Sequence, residues 1–378
     1  MKKKIAFYID SLNRGGTEKA TVDLINNLNL DKYDVTLIKF FPGGEYADRV
    51  KKEIKTKTKY PIVKLFAWNK KLEHRVKWWG RNFFDRLPGR LSHKFLIGSK
   101  YDVEIACGYY FPTKIIENSP SAKKISWVHM DYSIDKSDIG NFSKKEGQDF
   151  FGNMDKIVCV SKECEERFND KFDLPKLTTT RYNIIETEKI LNKSDEFQVT
   201  EFDDNVINIV TIGRLTWQKG YDRLIDIYNR VLKREKKCHL YIIGEGEDYE
   251  KLKQQIDSLG INQYITLLGY VKNPYPYVKK ADLFVCSSRH ESFSLVVAES
   301  LVLGTPVIST KCTGPNELLE YGKYGKVVDN DDEALYRGLL ELVSNQAEIN
   351  MYKEKAIDRK DFFDTKKSVE KWEELLDE

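Results

Sequence analysis

The stretch VINIVTIGRLTWQKGYDRLIDIYNRVLKR (206–234) contains the unit from which the fold can be deduced. Its first eight residues are rich in β-branched side chains, as in a buried parallel strand, and residues 221–234 have the apolar spacing of a helix. The loop between them carries Arg214 and Lys219. The order strand, loop, helix is the first part of a βαβ unit, so the sequence predicts a parallel sheet covered by helices.

The same alternation continues in both directions along the chain. Strand-like runs follow at 238–244, 264–269, 281–288, 305–310 and 324–328, and an earlier series occupies 4–10, 34–40, 101–107, 123–129, 156–161 and 177–182. A polar, aperiodic stretch at 192–205 is interpreted as a linker. We therefore expect an α/β protein with two doubly wound, Rossmann-like domains facing each other across a cleft. The predicted domains are 1–191 and 206–350, followed by a helical segment at 351–378 that could cross back to the first domain.

The composition is that of a folded protein without a dedicated polyanion partner. A chain of 378 residues is long enough for two domains, and 41% hydrophobic with 32% charged residues is typical of globular proteins. Lys plus Arg (62) nearly balance Asp plus Glu (59), unlike a dedicated nucleic-acid binder. The six cysteines form no C-x-x-C pair and are interpreted as buried free thiols in a reducing cytosol. Without a signal-peptide pattern or a long apolar run, we expect a cytoplasmic protein, soluble or peripheral to the membrane.

The strongest chemical pattern is RHESFSLVVAESLVLGTPVIST (289–310), in which Glu291 and Glu299 are eight residues apart. A helix is predicted to begin near Ser292 or Ser294, either of which can cap it, and the N–H groups at such a helix end bind phosphate. Glu291 can accept hydrogen bonds from sugar hydroxyls. Glu299 lies on an apolar helix, where a carboxylate needs a partner, and can reach ribose hydroxyls. The alternative is that both are solvated charges on a helix face.

Two other loops suggest anion binding. Arg214 and Lys219 are placed to neutralise a diphosphate, although they could be ordinary surface cations. In the first half, SLNRGGTEKA (11–20) follows the opening strand, and Gly15 and Gly16 can bring backbone N–H groups against a phosphate or a sugar. A Gly-Gly pair is more often a plain turn, so this second indication is weak by itself.

Together these segments resemble the retaining glycosyltransferases of family 4, which have the GT-B fold. The resemblance rests on the Glu291-x7-Glu299 block, GRLTWQKG (213–220), LGYV (268–271), GTPVIST (304–310), GPNELLE (314–320) and GGTEKA (15–20). It covers the whole chain and is most specific over 205–330. It implies a bacterial enzyme of polysaccharide or glycolipid synthesis that moves a sugar from a nucleoside diphosphate, UDP being favoured, to a glycan or lipid-linked acceptor.

The resemblance also implies roles for single residues. Arg214 and Lys219 would hold the donor diphosphate, and Glu299 the nucleotide ribose. The transferred sugar and its phosphates would be gripped by Glu291 and by the backbone of Ser292, Phe293, Ser294 and Leu295. His129, in WVHMDY, matches the position from which family members contact the donor sugar near the reacting centre, although a lone histidine is more often structural. Glu291 and His129 are the candidate catalytic residues.

One residue departs from the family pattern. The chain has ESFS (291–294) where many members carry E-G-F, and a side chain at Ser292 narrows the loop. The identity of the donor sugar therefore stays open.

The charge changes of the reaction fit these residues. Breaking the bond between an anomeric carbon and a nucleoside diphosphate leaves negative charge on the phosphate, which cations and a helix end stabilise. The resemblance implies retention of configuration without a covalent intermediate, so Glu291 is a binder rather than a nucleophile. Asp329-Asn330-Asp331 could be a metal-binding D-x-D, but its place before a helix favours capping. We predict no metal and no cofactor besides the nucleotide-sugar substrate.

Residues 51–100 differ from the balanced whole. They carry fifteen cationic and three acidic residues, a net charge of +12, and three of the six tryptophans: Trp68, Trp78 and Trp79. A basic amphipathic helix with tryptophan is typical of a membrane surface, so residues 68–97 are predicted to bind anionic lipid at the inner face of the membrane. The alternatives are a helix packed on the first sheet with a solvated basic face and, last, nucleic-acid binding.

Two other functions remain open. A GT-B nucleotide-sugar epimerase would need no acceptor, and a non-catalytic subunit could bind nucleotide sugar or membrane. The intact set of Glu291, Glu299, Arg214 and Lys219 counts against the second.

Overall fold

The computed structural model describes residues 1–60, 91, 93–94, 97–98, 100–108, 110–117, 119, 123–132 and 142–378. The chain divides into two compact units. The first comprises Met1–Ile184 with Lys366–Glu378, and the second comprises Ile185–Thr365. Each is built on a parallel sheet, as the alternation of strands and helices predicts.

The first unit contains a sheet with the strand order β3-β2-β1-β4-β5-β6-β7. Its strands are β1 (Lys3–Ile9), β2 (Tyr33–Lys39), β3 (Lys55–Thr58), β4 (Val103–Cys107), β5 (Lys123–Val128), β6 (Lys156–Cys159) and β7 (Thr178–Thr180). The helices described in this part are α1 (Gly16–Asn27), α2 (Tyr110–Glu117), α3 (Lys144–Phe151) and α4 (Lys162–Phe172). Central strands such as β4 are buried along their whole length, which explains their continuous apolar runs.

The second unit contains a sheet with the order β10-β9-β8-β11-β12-β13. Its strands are β8 (Ile207–Ile212), β9 (Cys238–Ile243), β10 (Ile265–Gly269), β11 (Leu283–Cys286), β12 (Val307–Thr310) and β13 (Lys326–Val328). Its helices are α5 (Thr187–Ser194), α6 (Tyr221–Leu232), α7 (Tyr249–Leu259), α8 (Tyr275–Lys280), α9 (Leu295–Val302), α10 (Thr313–Leu318), α11 (Asp332–Val343) and α12 (Gln346–Arg359). A core of aliphatic and aromatic side chains fixes α6 and α11 against this sheet.

Both sheets reverse their strand order beside their first strand. In the first unit the reversal lies between β1 and β4, and in the second between β8 and β11. The loops that leave the two strands diverge there and open a crevice at the carboxyl ends, where open α/β sheets bind ligands. Arg214 and Lys219 follow β8, and Glu291 follows β11. The fold therefore places the predicted donor loops at the switch point of the second sheet.

The polar stretch 192–205 belongs to the second unit, and the division between the units lies at Ile184 and Ile185. Helix α5 extends into this stretch as far as Ser194. Val199 and Phe202 are buried, and the hydroxyl of Tyr277 donates a hydrogen bond to Glu201 Oε1 (2.6 Å). Val199 and Phe202 thus anchor the predicted linker in the second unit, and the Phe202 ring packs against that of Tyr241 in β9 (4.4 Å between centroids).

The chain ends in the helix α13 (Thr365–Asp377), whose apolar spacing predicts a buried face. Val369, Trp372, Leu375 and Leu376 are buried, and the Trp372 ring lies 4.6 Å from that of Trp127 in β5. The predicted terminal segment 351–378 is divided between the units. Its residues up to Arg359 belong to α12 in the second unit, whereas Lys366–Glu378 belong to the first unit. In the described part of the chain, no helix has the length and apolar character that crossing a bilayer requires.

Candidate functional site

The predicted donor loops, which follow β8 and β11, meet through an ion pair. Lys219 Nζ contacts Glu291 Oε1, and the hydroxyl of Ser288 donates a hydrogen bond to the same oxygen (2.8 Å). Ser287, at the start of the second loop, donates its own hydroxyl to the carbonyl of Lys219 (3.0 Å). The fold therefore brings the two predicted residues into direct contact.

The charge of Lys219 is set by two opposing effects. Burial lowers the pKa of its ammonium group, but the adjacent Glu291 carboxylate outweighs burial, so the pKa is raised above its ordinary value. Lys219 is therefore a cation throughout the physiological pH range.

Arg214 lies on the same loop, two residues after β8, and its side chain is exposed. The loop after β9 packs against its backbone, since Leu215 donates its N–H to the carbonyl of Glu245 (2.9 Å). Cβ atoms at Gly244 and Gly246 would overlap the backbone of Gly213 and Leu215. Glycines thus permit this close approach, which holds Arg214 at the carboxyl end of the sheet.

Helix α9 begins at Leu295, close to the predicted start, but without the predicted side-chain cap. Ser294 is the N-cap residue, has φ = +68° in the left-handed region and makes no capping hydrogen bond. Its buried hydroxyl has no hydrogen-bond partner among the described residues. The prediction that Ser292 or Ser294 caps the helix is wrong for Ser294, because a side chain on a left-handed residue turns away from the helix N–H groups. A serine at such a φ also costs about 1 kcal/mol.

The loop that carries Glu291 is held from behind by helix α10. The carbonyl of Glu291 accepts hydrogen bonds from Thr313 Oγ1 (2.5 Å) and from the N–H of Gly314 (3.2 Å). A Cβ at Gly314 would overlap the backbone of Phe293. The GPNELLE segment therefore contributes a close backbone contact that sets the position of Glu291 and Phe293.

Glu299 lies on the buried side of α9, and only 6% of its surface is exposed. The hydroxyl of Tyr275, the first residue of α8, donates a hydrogen bond to Glu299 Oε1 (3.1 Å). The prediction that this carboxylate needs a partner is confirmed. Tyr275 did not emerge from the sequence, because no spacing relates it to Glu299.

Arg223 is a second residue that the sequence analysis missed. It is 7% exposed on α6 and donates hydrogen bonds to the carbonyls of Ser287 (2.9 and 2.6 Å) and Ser288 (2.9 Å) and to Asn330 Oδ1 (2.8 Å). Burial lowers the pKa of its guanidinium. Arg223 thus anchors the start of the loop that carries Glu291. Its position in the first turn of the helix after the GRLTWQKG loop is the sequence feature that could have identified it.

A second clamp joins the same two loops at the surface. Arg289 forms a bidentate ion pair with Asp222 (2.7 and 3.0 Å) and donates to the carbonyl of Trp217 (2.7 Å). The N–H of Arg289 also donates to the carbonyl of Gln218 (2.7 Å). Bidentate pairing fixes both partners in orientation, so the loops after β8 and β11 form one preorganised unit.

Asp331 and Asn330 have structural roles. Asp331 caps α11 by accepting a hydrogen bond from the N–H of Ala334 (2.8 Å), which confirms the capping interpretation. Asn330 donates to the carbonyl of Arg289 (2.9 Å). The described residues contain no group of three or more His, Cys, Asp or Glu side chains that could hold a metal ion.

Gly15 and Gly16 lie in the first unit, at the carboxyl end of β1. Gly15 is the N-cap of α1 with an extended backbone, and a Cβ there would overlap the carboxylate of Glu18. Nearby Gly108, after β4, has φ = +102° and faces Thr17. Glycine at position 15 therefore provides space at the helix start rather than conformational freedom.

His129 directly follows β5 in the first unit. Its Nε2 is buried without a hydrogen-bond partner among the described residues, and its ring lies 4.4 Å from that of Trp127. Burial lowers the pKa of the imidazole to about 3, so His129 is neutral at physiological pH. The neutral imidazole can donate one hydrogen bond and accept another, but it carries no charge.

The six cysteines are free and buried, as predicted. Cys286 and Cys312 lie beneath the donor loops, where Cys312 Sγ is 3.3 Å from the carbonyl of Ser288. Burial raises the pKa of the Cys312 thiol to about 12. These thiols pack as apolar groups under the site.

Known proteins resemble this chain in sequence and in structure. Residues 192–359 match the family model described as "Glycosyl transferases group 1". Over 99% of both chains the structure superimposes on Anabaena HepE in complex with UDP and glucose, with a TM-score of 0.76 and 18% identity. The chain has the GT-B fold. Staphylococcus aureus TarM superimposes over 100% of this chain and 99% of its own with a TM-score of 0.76 and 15% identity.

Two relatives are similar in sequence. The Campylobacter jejuni N-acetylgalactosamine-N,N'-diacetylbacillosaminyl-diphospho-undecaprenol 4-alpha-N-acetylgalactosaminyltransferase is 28% identical over 96% of both chains. An uncharacterized glycosyltransferase of Methanocaldococcus jannaschii is 28% identical over 70% of this chain and 74% of its own. The chain is thus similar to one named glycosyltransferase along nearly its whole length.

Proposed function

We propose that this protein is a family 4 retaining glycosyltransferase that transfers a sugar from a UDP-sugar, without a metal ion, to a glycan or lipid-linked acceptor in bacterial cell-surface polysaccharide or glycoconjugate synthesis. The observation that carries the proposal is the convergence of Arg214, Lys219, Glu291 and the start of α9 at one switch point. Cations and a helix N-terminus suit a diphosphate, and a carboxylate beside them suits sugar hydroxyls.

The donor would occupy the site in three parts. Its diphosphate would lie between Arg214, Lys219 and the N–H groups at the start of α9, which stabilise the charge that develops on the leaving phosphate. Its ribose would bind Glu299. Its sugar would face Glu291, which holds Lys219 in place and accepts hydrogen bonds without acting as a nucleophile.

The similarity to other enzymes supports the choice of substrates. The Campylobacter relative is named for transfer to a diphospho-undecaprenol-linked glycan, and HepE has been crystallised with UDP-glucose. For this chain we infer the same chemical classes, a UDP-sugar donor and an acceptor glycan, lipid-linked or free. His129 would contact the sugar from the first unit as a neutral imidazole.

Acceptor-dependent turnover tests the proposal. The protein is incubated with UDP-glucose, UDP-N-acetylglucosamine or UDP-N-acetylgalactosamine, with and without a polyprenyl-diphosphate-linked glycan, and released UDP is measured. We expect rapid UDP release with one donor when the acceptor is present, and a product whose anomeric proton shows the configuration of the donor by NMR. UDP release at the same rate without acceptor would favour an epimerase. Binding of the UDP-sugar without UDP release would favour a non-catalytic subunit. A product with the opposite anomeric configuration would exclude a retaining mechanism.

We also propose that residues 68–97 bring the protein to the inner face of the membrane. Most of this segment lies outside the described residues, so the proposal rests on its composition. Each Lys or Arg near an anionic surface contributes about 1 kcal/mol, and indole prefers the interface. Binding to anionic vesicles, strong at low salt and weaker at physiological salt, is expected for the wild type. It should be lost when Lys70, Lys71, Arg75, Lys77 and Arg81 are changed to Glu, and equal binding by both proteins contradicts the proposal.

A further inference from the structure

Helix α8 carries two tyrosines that each donate a hydrogen bond to a carboxylate of the second unit. Tyr275 donates to Glu299 (3.1 Å), and Tyr277 donates to Glu201 (2.6 Å). Glu299 is buried on the helix that begins at the donor loop, whereas Glu201 lies in the stretch that precedes β8. The two tyrosines thus make the same chemical contact in different places.

The frame around Tyr275 is rigid. Pro274 precedes it and Pro276 follows it, and the proline rings restrict the backbone on both sides. Asn273 Oδ1 accepts a hydrogen bond from the N–H of Tyr275 (3.3 Å). The Asn273 amide in turn donates to the carbonyl of Lys193 (2.8 Å), at the end of α5. The phenol is therefore held by its own helix start and by the neighbouring helix.

A buried carboxylate that is not oriented can turn its oxygens toward several partners, and it is costly unless hydrogen-bonded. Donation by Tyr275 to Oε1 fixes the rotation of the Glu299 carboxylate. A carboxylate offers about four acceptor positions, so accepting from Tyr275 does not prevent it from accepting two further hydroxyl groups. Vicinal hydroxyls are the groups that a ribose presents.

We propose that Tyr275 is a positioning residue that orients Glu299 toward the 2′- and 3′-hydroxyls of the donor ribose. This inference rests on the proposed function, in which Glu299 binds the ribose. Tyr275 does not touch the nucleotide. It sets the selectivity of the site for a ribonucleotide over a nucleotide without these hydroxyls.

The test compares the affinity for UDP with that for 2′,3′-dideoxy-UDP by titration calorimetry. We expect the wild type to bind UDP at least about tenfold more tightly, because the hydroxyls donate to a charged acceptor. Tyr275→Phe should reduce this ratio to about threefold or less by weakening UDP alone. Tyr277→Phe is the matched control, because it removes the same atom and a carboxylate contact from the same helix, and its ratio should equal that of the wild type.

Two further variants separate the possible failures. Glu299→Gln should abolish the selectivity, and the double variant Tyr275→Phe/Glu299→Gln should behave as Glu299→Gln alone, because one residue acts through the other. If wild type shows no preference for UDP, or Glu299→Gln keeps it, the proposed ribose site itself is wrong. If Glu299→Gln loses the preference while Tyr275→Phe keeps it, the role of Tyr275 is refuted and the ribose site stands.

Discussion

Lys219 and Glu291 form an ion pair although 72 positions separate them in the chain. They meet because β8 and β11 are neighbours in the sheet although β9 and β10 lie between them in sequence. Glu291 maintains the charge of Lys219 and fixes its position, so that in the proposed donor site the lysine would be ready to bind the diphosphate. The reversal of strand order thus opens the crevice and places Lys219 beside Glu291 within it.

The first prediction concerns this cation and its neighbour. Lys219→Ala and Arg214→Ala should each weaken UDP binding by about 1.5 to 3 kcal/mol, because each removes a charge-assisted contact to the diphosphate. Calorimetric titration with UDP measures the loss. Lys323→Ala, which removes an exposed lysine paired with Glu320, is the control and should bind UDP normally. Wild-type affinity in the Arg214 and Lys219 double variant would refute the diphosphate site.

The second prediction concerns the left-handed residue before α9. Ser294→Gly should raise the free energy of unfolding by about 1 kcal/mol, because glycine adopts φ = +68° without a Cβ penalty. Ser294→Ala is the matched control. It loses the same buried hydroxyl but retains the Cβ penalty, so the Gly variant should be the more stable of the two by about 1 kcal/mol in urea denaturation. Equal stability of the Gly and Ala variants would show that the backbone at this position is unstrained.

The third prediction concerns the anchor under the predicted donor loop. Arg223→Met should lower the free energy of unfolding by about 3 kcal/mol, because the buried carbonyl of Ser287 and Asn330 Oδ1 lose a charged donor. The carbonyl of Ser288 keeps its hydrogen bond from Thr310. Arg230→Met, on the same helix, removes an exposed ion pair with Glu333 and should have a much smaller effect. Urea denaturation of the two variants compares them. Similar small losses in both would mean that Arg223 is not a structural anchor.

The fourth prediction concerns the pH dependence of His129. Its pKa is about 3 in the folded protein and near 6.5 when unfolded, so the unfolded chain binds the proton more readily. The free energy of unfolding should therefore fall, relative to His129→Gln, as pH decreases from 6.5 toward 3, and the difference should be constant above pH 7. Denaturation of both proteins at pH 7.5 and 5 provides the comparison. An identical pH dependence in the two proteins would contradict a buried neutral imidazole.

Periodicity and composition were sufficient for most of the fold. Every strand-like run of both series became a strand. The central strands carry a continuous apolar signal because both of their faces are buried. No strand-like run predicted β3 (Lys55–Thr58), which reads KTKT. It is an edge strand with exposed lysines, so it carries no apolar signal.

Within the site, the sequence indicated the residues in loops that directly follow strands. It missed residues on helices that contact those loops or Glu299. Glu291 and Lys219 stand in loops whose position a parallel sheet dictates. Arg223 and Tyr275 act across tertiary contacts, on helices whose polar residues look like ordinary surface charges and aromatics. The left-handed backbone of Ser294 was also not predicted, because the preference for serine at a helix N-cap gives no information about φ.

The most direct test of the central claim is to locate the bound nucleotide by amide hydrogen exchange. Exchange is measured with and without UDP at about 100 times its Kd, where bound ligand adds about 2.7 kcal/mol of stability. The account predicts that protection concentrates in the loops 213–220 and 287–295 and at α9, and that Lys219→Ala reduces it at the same UDP concentration. Protection elsewhere with these loops unchanged, or no binding of UDP, would contradict a donor site at the switch point of the second sheet.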